Sequence, residues 1–143
     1  MLDTAYSEAV RLYIVRHAEA AKGNPDELRP LTQHGRDQAR NLGEHLAAEG
    51  VRPDVILTSP LLRARETAEE LARATGAPVE PTELLAPGAS ADDVRTAIAG
   101  RGERVLIVAH QPDCGQITAD LGGDQDPDFP PAGVRSLELP STR

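Results

Sequence analysis

The sequence Val105-Leu106-Ile107-Val108-Ala109 is an unbroken apolar run that is followed directly by His110. Its short length and its β-branched residues are typical of a strand that is buried on both faces of a sheet. The run is much shorter than the roughly 18 apolar residues that a membrane helix needs. It therefore predicts a buried strand with a histidine at its carboxyl end.

Weaker runs of the same kind occur elsewhere along the chain. They are residues 11–15 (RLYIV), residues 55–58 (VILT), the surroundings of Val79, and residues 134–139. Between these runs, apolar residues recur at helical spacing. The predicted helices begin at Thr32, at Ser59-Pro60 with Ser59 as the N-cap, at Ser90 and at Pro112, and the first two end at Gly50 and Gly76. This alternation predicts an α/β fold, a three-layer α/β/α sandwich with a mostly parallel central sheet.

Length and composition exclude several classes of protein. The chain has 143 residues, so we expect a single domain over residues 1–143. Its net charge of −8 argues against a nucleic-acid partner and against binding to an anionic membrane surface. The single cysteine, Cys114, excludes an internal disulfide and a cysteine-rich zinc site. The first ten residues lack the features of a secretory signal, which predicts a cytoplasmic protein.

Polar residues follow three of the predicted strands at the point where each strand ends. Arg16 and His17 follow the first strand, residues 59–63 (SPLLR) follow the second, and His110 follows the apolar run at residues 105–109. In open α/β sheets, binding sites form at the carboxyl ends of the strands. We therefore expect these side chains to meet in one pocket.

Each of these features also has a structural explanation when it is taken alone. A histidine beside a strand can satisfy a backbone group, and Arg63 and Arg65 could be solvated on a helix surface, since Glu66 and Glu69 lie at helical pairing distances from them. Metal binding by His17 and His110 is disfavoured, because no carboxylate or cysteine stands at ligand spacing. The functional interpretation is favoured because all three features occur at equivalent strand ends.

Two imidazoles and two guanidiniums in one pocket predict phosphoryl transfer. Guanidinium groups grip phosphoryl oxygens in a bidentate manner. A neutral imidazole can attack phosphorus if its other ring nitrogen is held by a hydrogen bond. The remaining cations would stabilise the charge that develops on the phosphoryl oxygens. Neither a metal ion nor another cofactor is required by this chemistry.

Four blocks of the sequence resemble the histidine phosphatase superfamily, which has the phosphoglycerate mutase-like fold. In chain order, these blocks read LYIVRHAEA, RPLTQHG, VILTSPLLRARETAEEL and VLIVAHQP. The short chain and the AHQP segment are most similar to the phosphohistidine phosphatase SixA group within that superfamily. The resemblance spans most of the chain, from about Leu12 to Leu121.

The resemblance implies a role for each matching residue. It implies that His17 is the nucleophile that becomes transiently phosphorylated, and that the phosphate pocket is lined by Arg16, Arg63 and His110. It further implies supporting roles for Ser59 and Thr67, and close helix packing at Gly35. One departure is Ala18, which stands where the family has a glycine, and we expect it to be tolerated if its backbone angles are ordinary.

The general acid is the least defined part of this prediction. Larger members of the family supply a carboxylic acid from a helical insertion that roofs the site, and residues 81–89 are too few for such a roof. By position, Glu83 is the candidate acid, although it could equally be an exposed loop carboxylate. Glu19 is a weaker candidate that could instead pair with Arg16 or a neighbouring base.

An open site favours a phosphorylated side chain on another protein as the substrate. Phosphohistidine has a leaving group that picks up a proton readily, so that a weak general acid costs less than with an alkyl phosphate. We therefore expect a metal-independent phosphatase that acts on protein phosphohistidine. The alternatives are a phosphatase of a small phosphomonoester metabolite and a non-catalytic phosphate-binding module.

Overall fold

The computed structural model describes residues 9–140. Residues 1–8 and 141–143 lie outside this range. Most of the first ten residues, which we predict not to be a secretory signal, are therefore outside the described part of the chain. The described chain forms strands β1 (Ala9–Arg16), β2 (Val55–Thr58), β3 (Val79–Pro81), β4 (Arg104–Ala109) and β5 (Val134–Pro140), and helices α1 (Gln33–Ala48), α2 (Leu62–Thr75), α3 (Ala91–Ile98) and α4 (Asp113–Asp120). None of the helices within residues 9–140 is long and apolar enough to cross a membrane.

The five strands form one sheet in the order β3-β2-β4-β1-β5. Strand β4 pairs in parallel with β1 on one side and with β2 on the other, whereas β5 runs antiparallel to β1. Along this register, Arg16 lies opposite Ala109 and Thr58 lies opposite Val108. The mostly parallel sheet is thus confirmed, and its three central strands end at nearly the same level.

Side chains of β4 alternate between two hydrophobic cores, one on each face of the sheet. Val105 and Ile107 are fully buried in the core that includes residues of α3 and α4. Leu106 and Val108 are fully buried in the core that includes residues of α1 and α2. Burial on both faces is the reason that this strand reads as a continuous apolar run, and it confirms the three-layer α/β/α arrangement.

Local capping signals define three of the eight α-helix ends within residues 9–140. The Thr32 hydroxyl accepts a hydrogen bond from the Gly35 N–H and caps α1, and Ser90 caps α3 in a reciprocal arrangement with Asp93. Helix α2 ends at Gly76, whose φ of 81° is in the left-handed region that glycine adopts without strain. These three signals were correctly predicted because each depends on residues close together in the chain.

The predicted start of α2 was wrong. The helix begins at Leu62, with Leu61 in the N-cap position, and the Ser59 side chain does not act as its N-cap. Ser59 continues the sheet pairing instead, because its N–H donates to the carbonyl oxygen of Val108. Its hydroxyl accepts from the Leu61 N–H at 3.2 Å and lies 2.8 Å from Nε2 of His110.

Gly35 allows the first turn of α1 to pack against the segment that follows β1. A Cβ atom at this position would lie 2.0 Å from the backbone oxygen of Glu19. The same carbonyl accepts a hydrogen bond from the Thr32 N–H at 3.0 Å. The backbone two residues after His17 is therefore held directly against α1.

We expect Gly35→Ala to lower the free energy of unfolding by roughly 3 kcal/mol, at the upper end of the usual cost of overpacking. The added methyl group would meet backbone atoms, which cannot move aside as a flexible side chain can. Urea denaturation of the variant and the wild type measures the difference. Gly43→Ala is a graded control, since its Cβ would meet its nearest backbone atom, the Glu70 oxygen, at 3.1 Å rather than 2.0 Å. An equal or larger loss in the control would contradict this account.

Candidate functional site

Two histidine side chains meet at the carboxyl ends of β1 and β4. The ring centroids of His17 and His110 are 5.1 Å apart, and the rings are inclined at 62°. The backbone N–H of His17 donates to the carbonyl oxygen of Ala109 at 3.0 Å, which extends the pairing of β1 with β4 by one residue. The register of the sheet, therefore, sets the distance between the two rings.

The His17 ring is held in one tautomer. Its Nδ1 lies 2.7 Å from the carbonyl oxygen of Ala18, and because a carbonyl oxygen can only accept, Nδ1 carries the proton. Nε2 is left with its lone pair. Ala18 is fully buried, has no positive φ, and donates its N–H to the Thr67 hydroxyl at 3.0 Å. The alanine in place of the family's glycine therefore sits there without backbone strain.

Both histidines are neutral at neutral pH. Burial lowers the pKa of His17 from 6.5 to about 4, the positive charges of Arg63, Arg16 and Arg29 lower it further, and only the hydrogen bond to Ala18 opposes them. Burial likewise lowers the pKa of His110 to about 3, and so do the neighbouring His17, when its ring is protonated, and the positive charge of Arg63. A neutral ring with a free lone pair on Nε2 is the form of histidine that can act as a nucleophile.

Arg63 lies in the first turn of α2 and reaches back to the segment between β1 and α1. It is only 6% exposed, and its guanidinium donates to the backbone oxygen of Asp26 at 2.9 Å and to Oδ2 of Asp26 at 3.2 Å. The alternative of a surface ion pair with Glu66 or Glu69 is wrong for this residue. Glu66 instead accepts a hydrogen bond from the Leu31 N–H at 2.8 Å.

Asp26 joins two guanidiniums at the edge of the site. Its Oδ1 accepts from Arg29 at 2.9 Å, while Oδ2 accepts from Arg63. The hydrogen bonds from Arg29 and Arg63 lower the pKa of the Asp26 carboxyl, so that it stays ionised. Neither Asp26 nor Arg29 was among the predicted site residues. Arg29 could have been noticed within the RPLT block, but Asp26 has no local signal, because Arg63 is 37 positions further along the chain.

Two buried nitrogen atoms of the site lack a hydrogen-bond partner. Within residues 9–140, Arg16 Nε and His110 Nδ1 are the buried side-chain nitrogen or oxygen atoms for which no partner is found. A second guanidinium nitrogen of Arg16 donates to the carbonyl oxygen of Phe129 at 2.9 Å, which holds the side chain in place. Unpaired buried polar atoms are uncommon and often mark a binding site. Arg16 Nε and His110 Nδ1 are therefore the candidate atoms of this site for hydrogen bonding to a bound ligand.

The two predicted acids lie outside this cluster of contacts. Glu83 is exposed in a short 3-10 turn (Glu83–Leu85) just beyond β3, and within the described chain no partner is found for its carboxylate. The turn is at the same end of the sheet, since the Thr82 N–H donates to the carbonyl oxygen of Thr58. Glu19 does not pair with Arg16, because its carboxylate accepts a hydrogen bond from the Thr32 hydroxyl at 2.6 Å.

The connection between β3 and α3 is short. Between these elements, the chain forms the turn at Glu83–Leu85 and no α-helix.

Across residues 9–140, no group of three or more histidine, cysteine, aspartate or glutamate side chains is arranged to hold a metal ion.

Comparison with known proteins finds the same fold and related sequences. Residues 12–86 match the family described as the histidine phosphatase superfamily (branch 1). The phosphohistidine phosphatase SixA of Escherichia coli is 31% identical over 91% of this chain and 86% of its own length, and a SixA homolog of Haemophilus influenzae is 34% identical over 90% and 87%. A solved structure of the protein histidine phosphatase SixA complexed with tungstate is 31% identical and superimposes with a TM-score of 0.81 over 89% of this chain and 86% of that one.

We expect His17 to titrate with a midpoint near pH 4. Since the unfolded chain titrates near 6.5, it binds more protons between these values, and the free energy of unfolding should fall as the pH drops through this window. Ring-proton NMR shifts against pH measure the midpoint. Arg63→Met should raise it, because a nearby positive charge is removed. A wild-type midpoint at or above pH 6 would show that burial does not govern this ring.

Proposed function

This chain belongs to the histidine phosphatase superfamily, and on that premise we propose that it is a phosphohistidine phosphatase that acts on a phosphorylated protein through a transient phosphohistidine at His17. The observation that carries the proposal is the hydrogen bond from His17 Nδ1 to the Ala18 carbonyl oxygen, which leaves Nε2 as a neutral nucleophile. The names of the relatives, phosphohistidine phosphatase SixA among them, support the choice of substrate class.

In the first step, Nε2 of His17 attacks the phosphorus atom of the substrate. The new N–P bond forms while the N–P bond to the substrate imidazole breaks, and the departing imidazole takes up a proton. Arg16, Arg63 and His110 would hold the phosphoryl oxygens, with Arg16 Nε and His110 Nδ1 as the donors that lack protein partners. Fixed donors of this kind stabilise charge as it develops, without reorganising during the reaction.

In the second step, a water molecule attacks the phosphorus atom of phosphorylated His17. The bond to Nε2 breaks, inorganic phosphate is formed, and the neutral ring is restored. Glu83 is the proposed donor of the proton that the departing imidazole takes up in the first step, and in the second step it would take a proton back from the attacking water. Its carboxylate is exposed at the carboxyl end of the sheet and has no partner within the described residues, which supports this role. Asp26 is less suited to this role, because its two arginine partners lower its pKa and keep it ionised.

The preference for a protein substrate is supported by the short connection above the site. The turn at Glu83–Leu85 leaves no helical roof between β3 and α3 that would enclose a small metabolite. A net charge of −8 would also disfavour free anionic metabolites more than a phosphohistidine carried on a basic protein surface. We further propose a cytoplasmic location, in line with the single cysteine, which is buried and unpaired.

We expect His17→Ala to lower kcat for a histidine-phosphorylated protein by at least about 1,000-fold, as loss of a nucleophile commonly does. Release of inorganic phosphate measures the rate. His45→Ala is a matched control, because His45 lies near the carboxyl end of α1 and its side chain is 63% exposed. Equal turnover by wild type and His17→Ala would refute the proposed mechanism. Absence of turnover by the wild type would favour a non-catalytic phosphate-binding module.

We expect Glu83→Gln to reduce activity more on an alkyl phosphomonoester than on protein phosphohistidine. A general acid contributes about 100-fold or more when the leaving group needs its proton, and less when the leaving group is a readily protonated imidazole. Initial rates on both substrates with the wild type and the variant measure the contrast. Small and equal losses would remove Glu83 from the mechanism, and a wild-type preference for the alkyl phosphate would favour the metabolite phosphatase.

A further inference from the structure

The Ser59 hydroxyl lies between a backbone N–H and the ring of His110. Its oxygen is 3.2 Å from the Leu61 nitrogen and 2.8 Å from Nε2 of His110. Ser59 is completely buried, and within residues 9–140 its hydroxyl has no other partner. The position of the hydroxyl proton therefore depends on these two neighbours alone.

Hydrogen-bond satisfaction decides where that proton points. The Leu61 N–H can only donate, so that the serine oxygen accepts from it. If the hydroxyl also accepted a proton from His110 Nε2, its own O–H would be buried without a partner. A buried O–H group without an acceptor is energetically unfavourable. The arrangement that pairs the Leu61 N–H, the Ser59 hydroxyl and His110 Nε2 with one another has the Ser59 O–H donating to Nε2.

The ring of His110 must then carry its proton on Nδ1. That atom is the buried nitrogen for which the described chain supplies no partner. Its ring lies 5.1 Å from the ring of His17, centroid to centroid, next to the charges of Arg16 and Arg63. Because the low pKa of about 3 keeps the ring neutral, it has one N–H, and its tautomer determines whether Nδ1 donates or accepts.

We propose that Ser59 is a positioning residue that fixes His110 in the Nδ1–H tautomer, so that the ring donates a hydrogen bond to a phosphoryl oxygen. The proposal rests on the function proposed above. Phosphoryl oxygens only accept hydrogen bonds, and in the other tautomer a lone pair on Nδ1 would face them. Ser59 thus prepares the site before substrate arrives.

His17 and His110 then both carry their ring proton on Nδ1, but the proton has a different role in each ring. In His17, the proton on Nδ1 is bound by the Ala18 carbonyl oxygen, which leaves Nε2 free to attack. In His110, Nε2 accepts from Ser59, which leaves the proton on Nδ1 free to be donated. One ring is prepared as a nucleophile and the other as a hydrogen-bond donor.

The tautomer can be measured without any assay of activity. In the ¹⁵N-labelled full chain at neutral pH, two-bond ¹H–¹⁵N correlation spectra distinguish a protonated from an unprotonated ring nitrogen. We expect His110 of the wild type to be protonated at Nδ1, and Ser59→Ala to populate both tautomers. Dissociation constants for tungstate, used as the probe anion, should rise roughly tenfold in Ser59→Ala, as expected when a hydrogen bond to a charged group is weakened.

Two variants separate this role from a loss of stability. Ser90→Ala removes the capping hydroxyl of α3 and should lower stability while leaving the His110 tautomer and tungstate binding unchanged. Ser59→Thr keeps the hydroxyl and should retain the Nδ1–H form. Wild-type His110 protonated at Nε2, an unchanged tautomer in Ser59→Ala, or unchanged tungstate binding despite a changed tautomer would each overturn the proposal. Because the spectra need no turnover, failure of the proposed function would be recognised separately.

Discussion

Parallel pairing of β1 and β2 on the two sides of β4 is the constraint on which the site depends. Side chains from three distant parts of the sequence meet because the three strands end at one level, with Arg16 opposite Ala109 and Thr58 opposite Val108. A shift of one residue in this register would turn each strand's buried side chains to the other face and separate the two histidines. The cores on both faces of the sheet therefore fix the geometry of the chemistry at its edge.

The site concentrates positive charge in a chain whose net charge is −8. Arg16 and Arg63 lie close enough to His17 to lower its pKa, and burial does the larger part. The surroundings that we propose to hold an anion thus also keep His17, the proposed nucleophile, unprotonated. Asp26 partly balances this charge by binding Arg29 and Arg63 with its two carboxylate oxygens. Binding and reactivity are consequently two results of one electrostatic arrangement.

The sequence predicted those features that depend on neighbours in the chain or on the ends of strands. Buried strands were recognised from apolar runs, α1 and α3 from Thr32 and Ser90, and the two histidines from their places after strands. Asp26 was missed because its contact with Arg63 spans 37 positions and carries no periodic signal. Ser59 was assigned as a helix cap because a serine before a proline is a local signal, whereas its partner His110 is 51 positions away. The exposure of Glu83 likewise depends on how the turn after β3 is folded rather than on its own sequence.

The outer strands of the sheet also determine how the chain can meet another protein. One edge is β3, whose three residues end in Pro81, which has no N–H to offer to an added strand. The other edge is β5, where Ser136, Glu138 and Pro140 alternate as exposed residues. An incoming strand would find few backbone groups at the first edge and a charge and a proline at the second. Strand addition is therefore disfavoured at both edges, which leaves the carboxyl end of the sheet, where the imidazoles lie, as the place at which we propose that a phosphorylated partner is recognised.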